Sequence, residues 1–218
     1  MHLLFDLDGT LTNPQLGIFT CICHALTTLD MPIPAEPELA LWIGPPLYDS
    51  FFALLGDRAR AAQAVTLYRN RFATVGLYEN AVYADIPTVL ATLTEHHVAW
   101  VCTSKPQVFA CKIVEHFDLR DFFAGVYGSE LNGDRARKSD LIAHLLQQEN
   151  IPTNAAVMIG DRHYDVAGGR HHGLATLGVT WGFGSVAELT AAGAKRLCHH
   201  PTELPKVIRT LAADHDPP

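Results

Sequence analysis

Apolar positions follow two rhythms along this chain. Short, almost wholly apolar runs that stand apart from any helical pattern are Leu3 to Phe5, Val98 to Cys102, Phe123 to Tyr127, Ala155 to Ile159 and Ala175 to Val179. Runs of this length without alternation predict strands buried on both faces. Between them apolar residues recur every three to four positions, which predicts helices. Residues 14–28 do so through Leu16, Phe19, Ile22, Cys23 and Leu26, with Leu29 just beyond. A short helix is expected over 38–43, then a break at Gly44-Pro45-Pro46, then helices over 47–55 and 58–75. Val65, Leu67, Tyr68 and Phe72 form the inward face of the last, and Gly76 is expected to terminate it. Further helices are expected over 86–96, from Pro106 to about His116, over 138–148, and from Asp161 to about His172. Residues 31–37 read as a proline-punctuated connection and 213–218 as a frayed tail.

Strands alternating with helices after residue 80 predict an α/β fold, a Rossmann-like doubly wound parallel sheet covered on both faces. The stretch 14–80 contains no strand pattern, so it is expected to form an inserted all-helical domain. The expected division is an α/β core domain of residues 1–13 and 81–218 and a helical domain of residues 14–80.

Composition narrows the function. The 218 residues carry a formal net charge of −7, which argues against a nucleic-acid footprint. An anionic substrate must then be held by a local positive site. No apolar run is long enough to span a bilayer, and no basic stretch followed by an apolar one opens the chain. The five cysteines are scattered, without C-x-x-C spacing, which fits a reducing compartment. A cytoplasmic protein, monomer or homodimer, is expected. Three adjacent histidine pairs (His96-His97, His171-His172, His199-His200) are poor chelators, because neighbours on a helix do not share a face.

Candidate chemistry stands where the apolar runs stop. The first ends in Asp6 and Asp8, followed by Gly9; the second in Thr103 and Ser104; a later one in Asp161, with Asp165 four residues on. Lys138 opens a helix between them. In a parallel sheet these ends share one edge. Crowded carboxylates repel unless a cation or proton intervenes, and Mg²⁺ favours hard oxygen ligands. Alone, Asp6 and Asp8 would more readily be read as helix caps, Thr103 as a strand-end hydroxyl and Lys138 as a solvated residue.

Together, Phe-Asp-Leu-Asp-Gly-Thr-Leu-Thr, Thr103, Lys138 and Gly160-Asp161-Arg162-His163-Tyr164-Asp165 resemble, in order, the four motifs of the haloacid dehalogenase-like hydrolase superfamily. The resemblance implies a Mg²⁺-dependent phosphatase in which Asp6 is the nucleophile and Asp8 the general acid and base. It implies that Asp6, Asp161 and the Asp8 carbonyl hold the metal, with Asp165 either supporting it through water or orienting Lys138. Lys138, Thr103 and backbone N–H groups near Leu7, Asp8 and Ser104 would grip the phosphate. An insert after the first motif resembles the family's helical cap. Ile43-Gly44-Pro45-Pro46-Leu47, Tyr68-Arg69-x-Arg71-Phe72 and Gly76-Leu77-Tyr78-Glu79-Asn80 resemble the phosphoglycolate phosphatase-like branch, which includes 5′-nucleotidases. Arg69 and Arg71 are therefore candidates for contacting substrate, although solvated helix arginines are commoner. Ser139 stands where phosphoglycolate phosphatases commonly carry proline, which leaves nucleoside monophosphates open. A sugar phosphomutase and an inactive scaffold are the alternative readings.

Overall fold

The computed structural model describes residues 1–213. By internal contacts the chain divides into two compact units, Met1–Thr12 with the chain from Val82 onward, and Asn13–Ala81. Among the described residues no helix is long and apolar enough to cross a membrane.

The first unit is built on six parallel strands: β1 (His2–Phe5), β4 (Val98–Pro106), β5 (Phe123–Ser129), β6 (Ala156–Gly160), β7 (Ala175–Val179) and β8 (Arg196–Cys198). Their spatial order is β5-β4-β1-β6-β7-β8. The chain winds outward on one side of β1, then returns to its other side. This is the doubly wound order, with its topological switch between β1 and β6. Register places Phe5 beside both Val101 and Ile159. The polar residues that follow these apolar partners therefore emerge on one edge.

Helices α5 (Ile86–Thr94), α6 (Gln107–His116), α7 (Lys138–Gln148), α8 (His163–His171), α9 (Val186–Ala192) and α10 (Leu204–Ala213) complete this unit. Strand β8 and helices α9 and α10 were not foreseen: β8 has only three residues and α9 seven, whereas α10 carried a helical signal in Leu204, Val207, Ile208 and Leu211 that was passed over. On one face of the sheet Leu141, Ile142, Leu145 and Leu146 of α7 pack with Leu4, Trp100, Cys102 and Met158. Period-two alternation sends Leu3 and Phe5, equally buried, to the opposite face. Strand β4 runs through Thr103–Pro106 instead of stopping at Cys102, with a register shift between Thr103 and Pro106.

The second unit contains α1 (Gln15–Thr28), α2 (Glu36–Ala40), α3 (Leu47–Leu55) and α4 (Arg58–Arg71). Two-residue strands β2 (Thr12–Asn13) and β3 (Ala81–Val82), paired with each other, mark where the chain leaves and rejoins the sheet-bearing unit. The helix expected over 58–75 changes character: α4 ends at Arg71 and a π-helical turn, Phe72–Gly76, follows. Gly76 is the last residue of that turn, which Leu77 caps, and α4 itself is capped by Phe72. The lack of a side chain at Gly76 serves packing, since a Cβ there would lie 2.4 Å from Cys21 Sγ. The tail expected over 213–218 falls, from residue 214, outside the described residues.

Leu4 is fully buried in the cluster under β1. We expect Leu4→Ala to cost about 2–5 kcal/mol, the usual range for a buried leucine truncated to a cavity. Urea unfolding followed by circular dichroism checks this.

Candidate active site

Asp6 is the first residue past β1, and its N–H is tied to Ile159 O of β6 at 2.9 Å. Its Oδ1 accepts from the Leu7 N–H at 2.8 Å and lies 2.9 Å from Lys138 Nζ. Lys138, the first residue of α7, reaches over the sheet edge. It donates to Cys102 O at 2.9 Å and pairs with Asp165 Oδ1 at 2.8 Å. Asp161 follows β6, and Asp165 is the third residue of α8. Carboxylate oxygens of Asp6, Asp161 and Asp165 all lie within 4.8 Å of one another, and all three residues are buried.

Backbone and hydroxyl donors orient these groups. Asp161 Oδ2 accepts from the Phe183 N–H at 2.8 Å, and its Oδ1 accepts weakly from Thr10 Oγ1 at 3.4 Å. Asp165 Oδ2 accepts from the Arg162 N–H at 3.1 Å, half of a capping box on α8. Room for Asp161 depends on glycine: a Cβ on Gly9 (φ +84°) would meet its Oδ2 at 2.2 Å, and one on Gly182 would meet it at 2.5 Å.

Charge is unbalanced here, since three buried carboxylates face one ammonium. Burial, then Asp165 and Asp6, push the Asp161 pKa well above the ordinary carboxyl value. Burial and Asp6 raise Asp165 to about 6, against the pull of Lys138. Burial opposes the Lys138 ammonium, yet Asp165 and Asp6 keep its pKa above that of an ordinary lysine. Hard, closely spaced, under-neutralised oxygens are the donor set that a hard divalent cation requires.

Asp8 stands outside this group. Its Oδ2 pairs with Lys105 Nζ, whereas its Oδ1 is buried without a hydrogen-bond partner among the described residues. Burial raises the Asp8 pKa, partly opposed by Lys105. Lys105 was not singled out in the sequence. It lies beyond Cys102, where the apolar run stops, in the part of β4 that the run did not reveal. Thr103 is buried, and its Oγ1 accepts from the Lys105 N–H at 3.2 Å. Ser104 accepts through its carbonyl from Ser129 Oγ at 2.8 Å. Leu7 is fully buried, and its N–H is engaged by Asp6 as described. Phe183 left no sequence signal, since it lies in a loop beyond the last apolar run.

Both candidate arginines belong to the helical unit. Arg71 directs its guanidinium fork to Glu79, with bonds of 2.7 and 2.9 Å. It is thus committed to a carboxylate of its own chain and is not a simple solvated arginine. Arg69 is half-buried, and burial lowers its pKa. An open pocket of about 410 Å³ in this unit is lined by Gln15, Leu16, Phe19, Glu36, Glu79 and Asn80 among others. The histidine pairs do not join any cluster able to share an ion; among the described residues Asp6, Asp161 and Asp165 form the one such group.

Comparison with known proteins agrees with this geometry. The family model described as haloacid dehalogenase-like hydrolase matches residues 3–179. A 5′-nucleotidase of Pseudomonas aeruginosa is 44% identical over 211 residues, 96% of each chain. Tyrosine-protein kinase PtkA of Mycobacterium tuberculosis is 38% identical over 184 residues, 83% of this chain but 62% of that protein. The crystal structure of a predicted phosphatase from Clostridium acetobutylicum superposes with a TM-score of 0.92 at 39% identity, covering 96% of this chain and 98% of that one. With matches over nearly its full length and an acidic cluster at the sheet's switch point, the chain belongs to the haloacid dehalogenase-like hydrolases.

Proposed function

We propose that this protein is a Mg²⁺-dependent phosphatase that hydrolyses a small phosphomonoester through an aspartyl-phosphate on Asp6. The observation that carries the reading is the convergence of Asp6, Asp161, Asp165 and Lys138 at one sheet edge. The 44%-identical relative named as a 5′-nucleotidase favours a nucleoside 5′-monophosphate over phosphoglycolate as substrate.

Asp6 and Asp161, with the Asp8 carbonyl and support from Asp165, would hold Mg²⁺. When bound, that ion neutralises phosphate charge and so lets an anionic nucleophile approach. Lys138 supplies the second positive charge to the transferring group, and Thr103 and nearby N–H groups supply hydrogen bonds. An Asp6 carboxylate oxygen attacks phosphorus as the ester P–O bond breaks. Asp8 delivers a proton to the departing alkoxide. It then takes a proton from the water that attacks the aspartyl-phosphate, releasing inorganic phosphate and restoring both carboxyl groups. Lys105 holds Asp8 Oδ2, which leaves Oδ1 as the oxygen available for this transfer.

The helical unit is inferred to serve as a cap of the family's kind. Its insertion directly after the first strand supports that role. Such a cap excludes water and selects the leaving group.

Asp6→Asn should lower kcat by on the order of 10³ or more while the circular dichroism spectrum stays native, because the nucleophile is lost and the shape kept. EDTA should abolish phosphate release and Mg²⁺ should restore it. Full turnover in either case would remove the mechanism, and isomerisation of a sugar phosphate without phosphate release would make it a mutase. Lys105→Met should lower kcat/KM for alkyl phosphates about tenfold or more, and far less for p-nitrophenyl phosphate, whose leaving group needs little protonation. Equal losses on both would assign Lys105 to phosphate binding instead.

Stability should report the same charges. Asp165, raised from 3.8 to about 6, stabilises the cation-free fold fully below about pH 4 and loses that contribution as pH rises through 6. A divalent cation must displace the shared protons at low pH. The Mg²⁺-induced rise in Tm is therefore expected to be larger at pH 8 than at pH 5, and an equal rise at both would exclude this account.

A further inference from the structure

Glu188 lies near the start of α9, where Ser185 caps the helix by accepting from the Glu188 N–H at 3.1 Å. Its carboxylate turns away from its own helix. Oε1 accepts from Arg162 Nε at 2.9 Å and from the His163 backbone N–H at 2.9 Å, and lies 2.7 Å from His163 Nδ1. His163 is the first residue of α8, and the opening N–H groups of a helix have no partner within it. A carboxylate lent by another helix satisfies that N–H and complements the positive end of the helix dipole.

The turn held in this way carries two of the three acidic groups of the site. Asp161 immediately precedes Arg162, and Asp165 accepts from the Arg162 N–H at 3.1 Å. Arg162 is buried and gripped at both ends, its backbone by Asp165 and its guanidinium by Glu188. The loop leading into α9 also meets Asp161: Phe183 donates to Oδ2, and a Cβ on Gly184 would lie 1.8 Å from the Asp161 carbonyl oxygen. Glu188 is not itself in the acidic cluster.

We propose that Glu188 is a positioning residue for the divalent cation: it clamps the start of α8 so that Asp161 and Asp165 stay close to Asp6 against their mutual repulsion. This inference rests on the reading of Asp6, Asp161 and Asp165 as the cation site. Residues that orient a metal's ligands commonly change its affinity 10–100-fold when removed.

The test is calorimetric titration of Mg²⁺ into the wild-type protein, Asp161→Asn, Glu188→Ala and Glu188→Gln, each checked for folding by circular dichroism. Glu188→Ala is expected to raise the Kd for Mg²⁺ about tenfold or more. Glu188→Gln keeps an acceptor for the His163 N–H but loses the charge facing Arg162, so a smaller rise of about threefold is expected. Asp161→Asn is expected to abolish binding. A folded Glu188→Ala with wild-type affinity, while Asp161→Asn has lost binding, would overturn the clamp alone. Should Glu188→Ala not fold, Glu188→Gln with wild-type affinity would do the same. Undiminished binding in Asp161→Asn would overturn the cation reading and the clamp with it.

Discussion

The constraint on which this structure turns is the repulsion among three buried carboxylates that share a single ammonium. Unit charges within 4.8 Å repel by at least about 3 kcal/mol per pair at an effective dielectric constant near 20. Lys138 pairs with two of the three, Asp6 and Asp165. Asp161 relies instead on the Phe183 N–H and Thr10 hydroxyl. The fold tolerates this because each carboxylate springs from a rigid origin: the end of β1, the end of β6 and the first turn of α8. A cluster so strained toward protonation is poised to exchange protons for a doubly charged cation, which links packing directly to the proposed chemistry.

The first pair of aspartates shows how fold separates roles that sequence places side by side. Asp6 and Asp8 are two residues apart, yet each has its own ammonium. Asp6 meets Lys138 from the start of α7, and Asp8 meets Lys105 from the end of β4. Neighbouring carboxyl groups with separate environments can serve as nucleophile and proton carrier within one site.

Much of the core was legible because short apolar runs that recur between helical patterns and stop at polar or turn residues fit buried strands of a parallel sheet, and a polar group ending such a strand lies at the sheet edge. Leu3 to Phe5, Ala155 to Ile159 and Ala175 to Val179 all carry that message, and Asp6 and Asp161 follow from it. The unread parts lack it. Strand β8 is three residues long with an exposed arginine, and the loop through Phe183 has no periodicity. The π-helical turn at Phe72–Gly76 leaves no mark in the spacing of its own residues, and Cys21 packs against its glycine.

The linear chain by itself determined the alternation of strands and helices up to about residue 180 and which acidic residues would follow the first and fourth of the apolar runs, because hydrophobic period and strand-end chemistry are local properties. Only the tertiary structure decided who meets whom. That Lys105 takes Asp8, that Arg71 is held by Glu79, and that Glu188 reaches across to the start of α8 depend on strand order, register and helix placement. Those are set by the sum of many contacts far apart in the chain, and no single stretch of residues encodes them.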